Sequence, residues 1–149
     1  TSSNYQEKNE TFDVSELIKN IITKYANTNI STEIIPKIYI DGRKNLIQRS
    51  INNLIDNALK HAGKMNISLA KIKNNVSIII DDDGPGIPKH EHENVFKPFY
   101  KIDKSRGESK SSVGLGLSMA LDTIKSHGGN ITLEKSPLNG LRIKIFLPV

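Results

Sequence analysis

The stretch IIIDDDGPGIP, residues 78–88, most constrains how this chain can fold. Its three isoleucines read as a strand packed into an interior. Asp81, Asp82 and Asp83 follow at once, ahead of a bend made by Gly84, Pro85 and Gly86. Adjacent carboxylates at a strand end repel one another unless a donor engages one of them. A calcium loop of the EF-hand kind does not account for the acids. With Gly84 as its sixth position, Ile79 stands first and His90 twelfth, where carboxylates are required. A plain Asp-capped turn explains one acid of the three. An exocyclic amine, such as that of adenine, is a donor that fits, because a glycine bend lets a flat ring approach the backbone.

The rest of the chain supplies a sheet and a helical layer for that strand. Val14, Leu17, Ile18, Ile21, Ile22 and Tyr25 recur at helical spacing behind an Asp13/Glu16 capping box, which predicts a helix over 13–26. STEIIPKIYID reads as a strand interrupted by Pro36. A second helix is expected over 43–62, with Ile47, Ile51, Leu54, Ile55 and Ala58 inward and Gly63 closing it. MNISLAKI and VSIIIDD form an antiparallel hairpin through Asn74 and Asn75. A third helix is expected from about Gly116 to His127, which ends it by charge and capping before Gly128 and Gly129. NITLEK and LRIKIFL then make a final hairpin. The polar run between Tyr100 and Gly114, KIDKSRGESKSSV, is too long for a tight connection and is a candidate lid. The pattern amounts to a two-layer α/β sandwich, one mixed, mostly antiparallel sheet covered by about three helices, in a single domain over 1–149.

Composition narrows the functional classes. A chain of 149 residues without cysteine has no disulfides or thiolate metal sites, and it is long enough for one core. No apolar run approaches the roughly 20 residues a membrane helix needs. The net charge of +5 favours anionic partners, but sparse aromatics and dispersed lysines argue against a nucleic-acid groove. His90 and His92, on a polar connector, read as solvated surface ahead of a metal site.

Two further patterns bear on nucleotide chemistry. Asn53, Asn57, Lys60 and His61 stand at i, i+4, i+7 and i+8, on one helix face opposite the apolar stripe. Asparagine is a poor interior helix residue. Such a face is either a solvated surface or a site in which an amide oxygen holds magnesium and a lysine neutralises phosphate. VGLGLS, residues 113–118, opens the third helix and is either a turn or a phosphate cradle at a helix N-terminus. It is neither a P-loop nor a dinucleotide fingerprint, since no G-x-x-x-x-G-K-[ST] occurs and Met119 stands where a third glycine is needed.

Taken together, NLIDNALKH (53–61), DDGPGI (82–87), FKPFYK (96–101) and VGLGLS (113–118) resemble, in order and spacing, the N, G1, F and G2 boxes of sensor histidine kinases. These boxes belong to the catalytic, ATP-binding domain, in the larger class that includes DNA gyrase B, Hsp90 and MutL. DDGPGI with FKPFY looks most like the osmosensor type.

The resemblance implies the Bergerat ATP-binding fold, with a tail over about 1–10 and an ATP lid over about 100–113. It implies ATP and Mg2+ as cofactors, with Asn57 as the magnesium ligand and Asn53 lining the phosphates. Lys60 and His61 would touch phosphate or ribose, and Asp82 would read the adenine amine, which leaves Asp81 and Asp83 lesser roles. Gly84 and Gly86 would close on the purine, and Ile87 would pack against it. Phe96, Phe99 and Tyr100 would anchor the lid, and Lys101 would contact phosphate. Gly114, Leu115, Gly116 and Leu117 would wrap the triphosphate. One position departs from the pattern: Val113 stands where the family carries Thr or Ser before the glycine.

ATP-hydrolysing cousins carry Glu at the place of Asn53 to activate water, and an amide cannot serve as that base. The resemblance therefore implies transfer of the γ-phosphoryl group to a histidine, with Asn53, Lys60 and Lys101 assisting catalysis. No histidine here stands in a phosphoacceptor context, so that dimerisation domain is expected elsewhere in a longer, membrane-anchored homodimer. A response regulator would be the downstream partner and this fragment its cytoplasmic, non-inserted part. A regulatory module that binds nucleotide without transfer, and an ATPase of the same class, are the alternatives.

Overall fold

Asp13 closes one element and opens the next. It ends strand β1 (Glu10–Asp13) and caps helix α1 (Val14–Thr23), its Oδ1 accepting from the Glu16 N–H at 3.1 Å. The computed structural model describes residues 7–25, 28–100 and 111–149, with side chains in the last stretch from 116 onward. After α1 come β2 (Ile30–Ile34), β3 (Tyr39–Gly42), α2 (Lys44–Leu59), β4 (Met65–Ile72) and β5 (Asn75–Asp82). Two short 3-10 turns, Lys89–Glu91 and Asn94–Phe96, precede α3 (Ser111–Ser126), β6 (Asn130–Lys135) and β7 (Leu141–Pro148).

Five strands form one sheet in the order β2-β4-β5-β7-β6, with β2 parallel to β4 and every other pair antiparallel. Alternation along the strands sets its two faces. Met65, Ile67, Leu69, Val76, Ile78, Ile80, Ile143, Ile145 and Leu147 are all 2% exposed or less and share one core with Ile18 and Ile21 of α1, Ile47, Ile51, Leu54 and Ile55 of α2 and Ile124 of α3. The opposite face carries mainly polar and charged side chains, with Ile79 and Phe146 half-buried among them. Arg142 pairs there with Asp81 at 2.8 Å, and Lys144 with Glu134 at 3.3 Å. This is the expected two-layer α/β arrangement around a mixed, mostly antiparallel sheet.

Several boundaries differ from expectation. A second, two-stranded sheet pairs β1 with β3, because Lys37, at φ 62, turns the chain after Pro36 and sends the two halves of STEIIPKIYID to different sheets. The second helix ends at Leu59 with Lys60 as its C-cap, ahead of Gly63. The β4–β5 turn is Lys73-Asn74, with Asn75 already paired to Ile72 and Lys73 at φ 57. The third helix begins at Ser111, so the glycines of VGLGLS lie inside it. Residues 7–10 of the expected tail are tied down, since the Glu7 carboxylate accepts from the Asn45 and Leu46 N–H groups at 2.7 and 3.2 Å. It caps α2, whose N-cap residue Arg43 offers no side-chain bond. His127 does more than end a helix. Its Nδ1 donates to Thr123 O at 2.8 Å and its Nε2 accepts from Arg43 N at 3.0 Å, an arrangement of the neutral ring that joins the end of α3 to the start of α2.

Candidate nucleotide-binding site

Each acid of the 81–83 triplet has its own task. Asp81, on the polar face of the sheet, receives two bonds from the Arg142 guanidinium at 2.8 and 2.9 Å. This contact, above all, holds the arginine's proton more firmly than usual. Asp83 turns outward, and its Oδ1 accepts from Gly63 N at 2.8 Å and Lys64 N at 2.9 Å. The Lys64 and then the Gly63 N–H hold its carboxyl below the ordinary carboxylate range. Asp82 points to the helix-covered side, like its cross-strand partner Met65, and is 5% exposed. Both of its side-chain bonds among the described residues fall on Oδ1, from Gly84 N at 2.9 Å and Leu141 N at 3.0 Å. Oδ2 accepts no hydrogen bond among the described residues.

Glycines bring the segments around Asp82 close together. A Cβ on Gly84 would lie 2.8 Å from the backbone oxygen of His61, so the bend of residues 84–86 seats on the end of the asparagine-bearing segment. Gly86 has φ +74, a conformation side chains resist.

The asparagine face of α2 opens on a cavity of ≈ 430 Å³ lined by Asn53, Asp56, Asn57, Leu59, Lys60 and Gly116. This cavity joins the N-box pattern to VGLGLS across the α2–α3 contact. A Cβ on Gly116 would lie 2.7 Å from Asn57 Nδ2, so glycine is needed there for the amide to keep its place. That Nδ2 is buried without a protein partner among the described residues. A buried amide atom left unpaired beside a cavity is the arrangement a polar ligand completes. An Asn amide offers both a carbonyl oxygen for a hard cation and an N–H for phosphate.

Other candidate residues are placed less directly. The cavity is lined by none of Asp82, Gly84, Gly86 and Ile87. Ile87 packs against the core, and its carbonyl accepts from His92 Nε2 at 2.9 Å, so His92 belongs to a local turn; no metal-holding cluster of three His, Cys, Asp or Glu occurs among the described residues. Phe96 and Tyr100 pack against the core, and Tyr100 donates to Glu91. Phe99 is 70% exposed at φ 65, and the lid it is expected to anchor lies mostly outside the described residues. The Leu117 side chain is buried in the core at 3% exposure, which leaves its backbone alone to face a ligand. His61 is exposed at its side chain. Lys101 lies outside the described residues, as does most of the expected lid; Gly114 and Leu115 lie within the α3 backbone.

Comparison with known proteins bears on this geometry. The model of the histidine kinase-, DNA gyrase B- and HSP90-like ATPase family matches residues 42–149. The chain belongs to this family. The family's match begins at Gly42, where α2 is about to start, and takes in every box named above. The sensor histidine kinase CpxA of Escherichia coli (strain K12) is 37% identical over 109 residues, 72% of this chain and 24% of that protein. The chain thus spans about a quarter of the length of this curated relative. Among solved structures, the ATP binding domain of PrrB from Mycobacterium tuberculosis is 28% identical with a TM-score of 0.79, covering 95% of this chain and 97% of that one. The histidine kinase domain of the E. coli osmosensor EnvZ is 28% identical with a TM-score of 0.72, covering 94% and 88%.

Inspection of the sequence missed the contributions of Gly140, Leu141, Arg142 and Gly63. Asn139-Gly140 is a turn signal visible in the sequence, but which acid it would touch depends on the β5–β7 register.

Proposed function

We propose that this chain is the single catalytic domain of a two-component sensor histidine kinase, binding Mg-ATP and passing the γ-phosphoryl group to a histidine on a dimerisation domain of the longer protein. The observation that carries this reading is the buried Asn57 Nδ2, without a partner among the described residues, facing Gly116 in a cavity shared with Asn53 and Lys60.

In this reading Asp82 accepts from the adenine amine through Oδ2, while Gly84, Gly86 and Ile87 shape the ring's seat. Asn57 is the magnesium ligand, and the ion supplies neutralisation of phosphate charge when bound. Asn53 lines the phosphates, and Lys60 and His61, with Lys101, contact phosphate or ribose. Gly114 to Leu117, within α3, wrap the triphosphate. Residues 100–113 serve as the lid, with Phe96 and Tyr100 at its root. Because Asn53 is an amide and no base for water, the residues favour positioning and charge neutralisation, the means by which phosphoryl transfer proceeds. No helix among the described residues is long and apolar enough to cross a membrane. In the full protein the domain lies on the cytoplasmic side of a membrane-anchored homodimer and acts on a response regulator through the dimerisation domain.

The test has two stages. Calorimetry with a non-hydrolysable ATP analogue is expected to show binding that magnesium strengthens, and Asp82→Asn is expected to weaken it by roughly tenfold or more, as loss of a bond to a charged group implies. ATP with a separately produced phosphoacceptor domain is then expected to yield acid-labile phosphate on that domain. Absence of binding would remove the reading altogether. Binding without transfer would favour a regulatory nucleotide-binding module, a reading to which Val113 lends its own support.

A further inference from the structure

We propose that the β6–β7 turn is a specificity device: Gly140 and the Leu141 N–H hold Asp82 in the one orientation that recognises an amine-bearing purine. This inference rests on the nucleotide reading of Asp82 and adds to it two positioning residues outside the four boxes.

The turn grips Asp82 at three points. Gly140 N donates to Asp82 O at 3.1 Å, and Leu141 N donates to Asp82 Oδ1 at 3.0 Å. Gly140 also sets a steric limit, since a Cβ there would lie 2.2 Å from Asp82 Oδ1, 2.5 Å from Asp82 O and 2.6 Å from Gly84 N. No side chain fits at that position without moving the acid or the bend beside it. The turn is itself well fastened. Ser136 N donates to Gly140 O at 2.9 Å, Asn139 N to Ser136 O at 2.9 Å, and Leu138 N to Ser136 Oγ at 3.0 Å, with Ser136 only 3% exposed. Asn139 takes φ 80, which Asn tolerates better than most residues.

The chemical consequence follows from where the bonds fall. Gly84 N and Leu141 N both occupy Oδ1. A carboxylate fixed through one oxygen can present the other at a set direction, and a preorganised acceptor discriminates an amine from its absence more sharply than a rotating one. The turn therefore acts on recognition through Asp82, and among the described residues none of these bonds or close approaches reaches a residue assigned to phosphate.

Two variants separate this role from a merely structural one. Gly140→Ala introduces the steric clash. Leu141→Pro deletes the donor at the first residue of β7, where proline is tolerated, because this N–H is directed to Asp82. The measurement is calorimetric affinity, with magnesium, for ATP and for purine riboside triphosphate, which lacks the amine. The wild-type chain is expected to prefer ATP by roughly tenfold or more, the value of a hydrogen bond to a charged group. Each folded variant is expected to lose that preference to within about twofold while binding the amine-free nucleotide as the wild type does. Equal weakening toward both nucleotides would assign the turn a structural role and overturn the proposal. So would an undiminished preference in the variants. Should Gly140→Ala fail to melt cooperatively, Leu141→Pro alone decides. A wild-type chain without preference between the two nucleotides would instead remove the assignment of Asp82, and the proposal with it.

Discussion

Gly116 and Asp83 show how single residues set the site. A Cβ at Gly116 would lie 2.7 Å from Asn57 Nδ2, and the neighbouring helix backbone leaves the amide as the part that must move. Gly116→Ala is expected to lower magnesium-nucleotide affinity by about tenfold, or about 1.4 kcal/mol, while raising helix propensity in α3. Calorimetry alongside thermal melting checks both halves, and unchanged affinity would refute the packing argument. Asp83 provides a pH test. Its folded carboxyl is held below the ordinary range by the Lys64 and Gly63 N–H groups, so it stabilises the fold above pH of about 4 and ceases to do so as pH falls through its folded value. The difference in melting temperature between wild type and Asp83→Asn should therefore be present at neutral pH and shrink as the pH falls below about 4. A difference that stays constant over that range would mean the acid acts by shape alone.

At the scale of elements, termini matter more than their length suggests. Glu7 sits ahead of β1, yet its carboxylate caps α2 through Asn45 and Leu46. Glu7→Ala leaves two helix donors without a carboxylate and is expected to cost about 1 kcal/mol, read as a lower denaturation midpoint. An unmoved midpoint would show that water satisfies those donors equally well. This contact also marks where sequence reading stops. The stripe from Val14 to Ile21 and that from Ile47 to Ala58 were legible because helical period and burial are the same statement. The β4–β5 and β6–β7 hairpins were legible from alternation and turn residues. β1 was not, since ETFD carries a single buried apolar residue, Phe12, and its pairing to β3 depends on a turn at Lys37 that no glycine announces. The boxes exposed Asn57, Asp82 and Gly116 as candidates, but the glycine that borders Asp82 lies 58 residues along the chain and meets it only through the sheet register.

For the molecule as a whole, the two faces of the sheet are stabilised differently. One is covered by helices, and the other is mainly polar, with the Asp81–Arg142 pair spanning β5 and β7. The Asp81 side chain is 7% exposed and that of Arg142 27%, so removing the arginine strands a nearly buried charge. Arg142→Ala is expected to destabilise the domain by about 2 kcal/mol, with Asp81→Asn in the same chain recovering part of the loss. Chemical denaturation of the single and double variants checks this, and simple additivity would show that the two side chains do not act as a pair.

The parallel pairing of β2 with β4 sets an order of events during self-assembly. Ser31 meets Asn66 only after α2 and β3 have been looped between them, whereas β6 and β7 meet across a short turn. Closing a longer loop carries a larger entropic penalty, so the carboxy-terminal hairpin forms before β2 meets β4, and its pairing with β5, where Arg142 meets Asp81 across a sequence separation of 61, carries the largest penalty of the three.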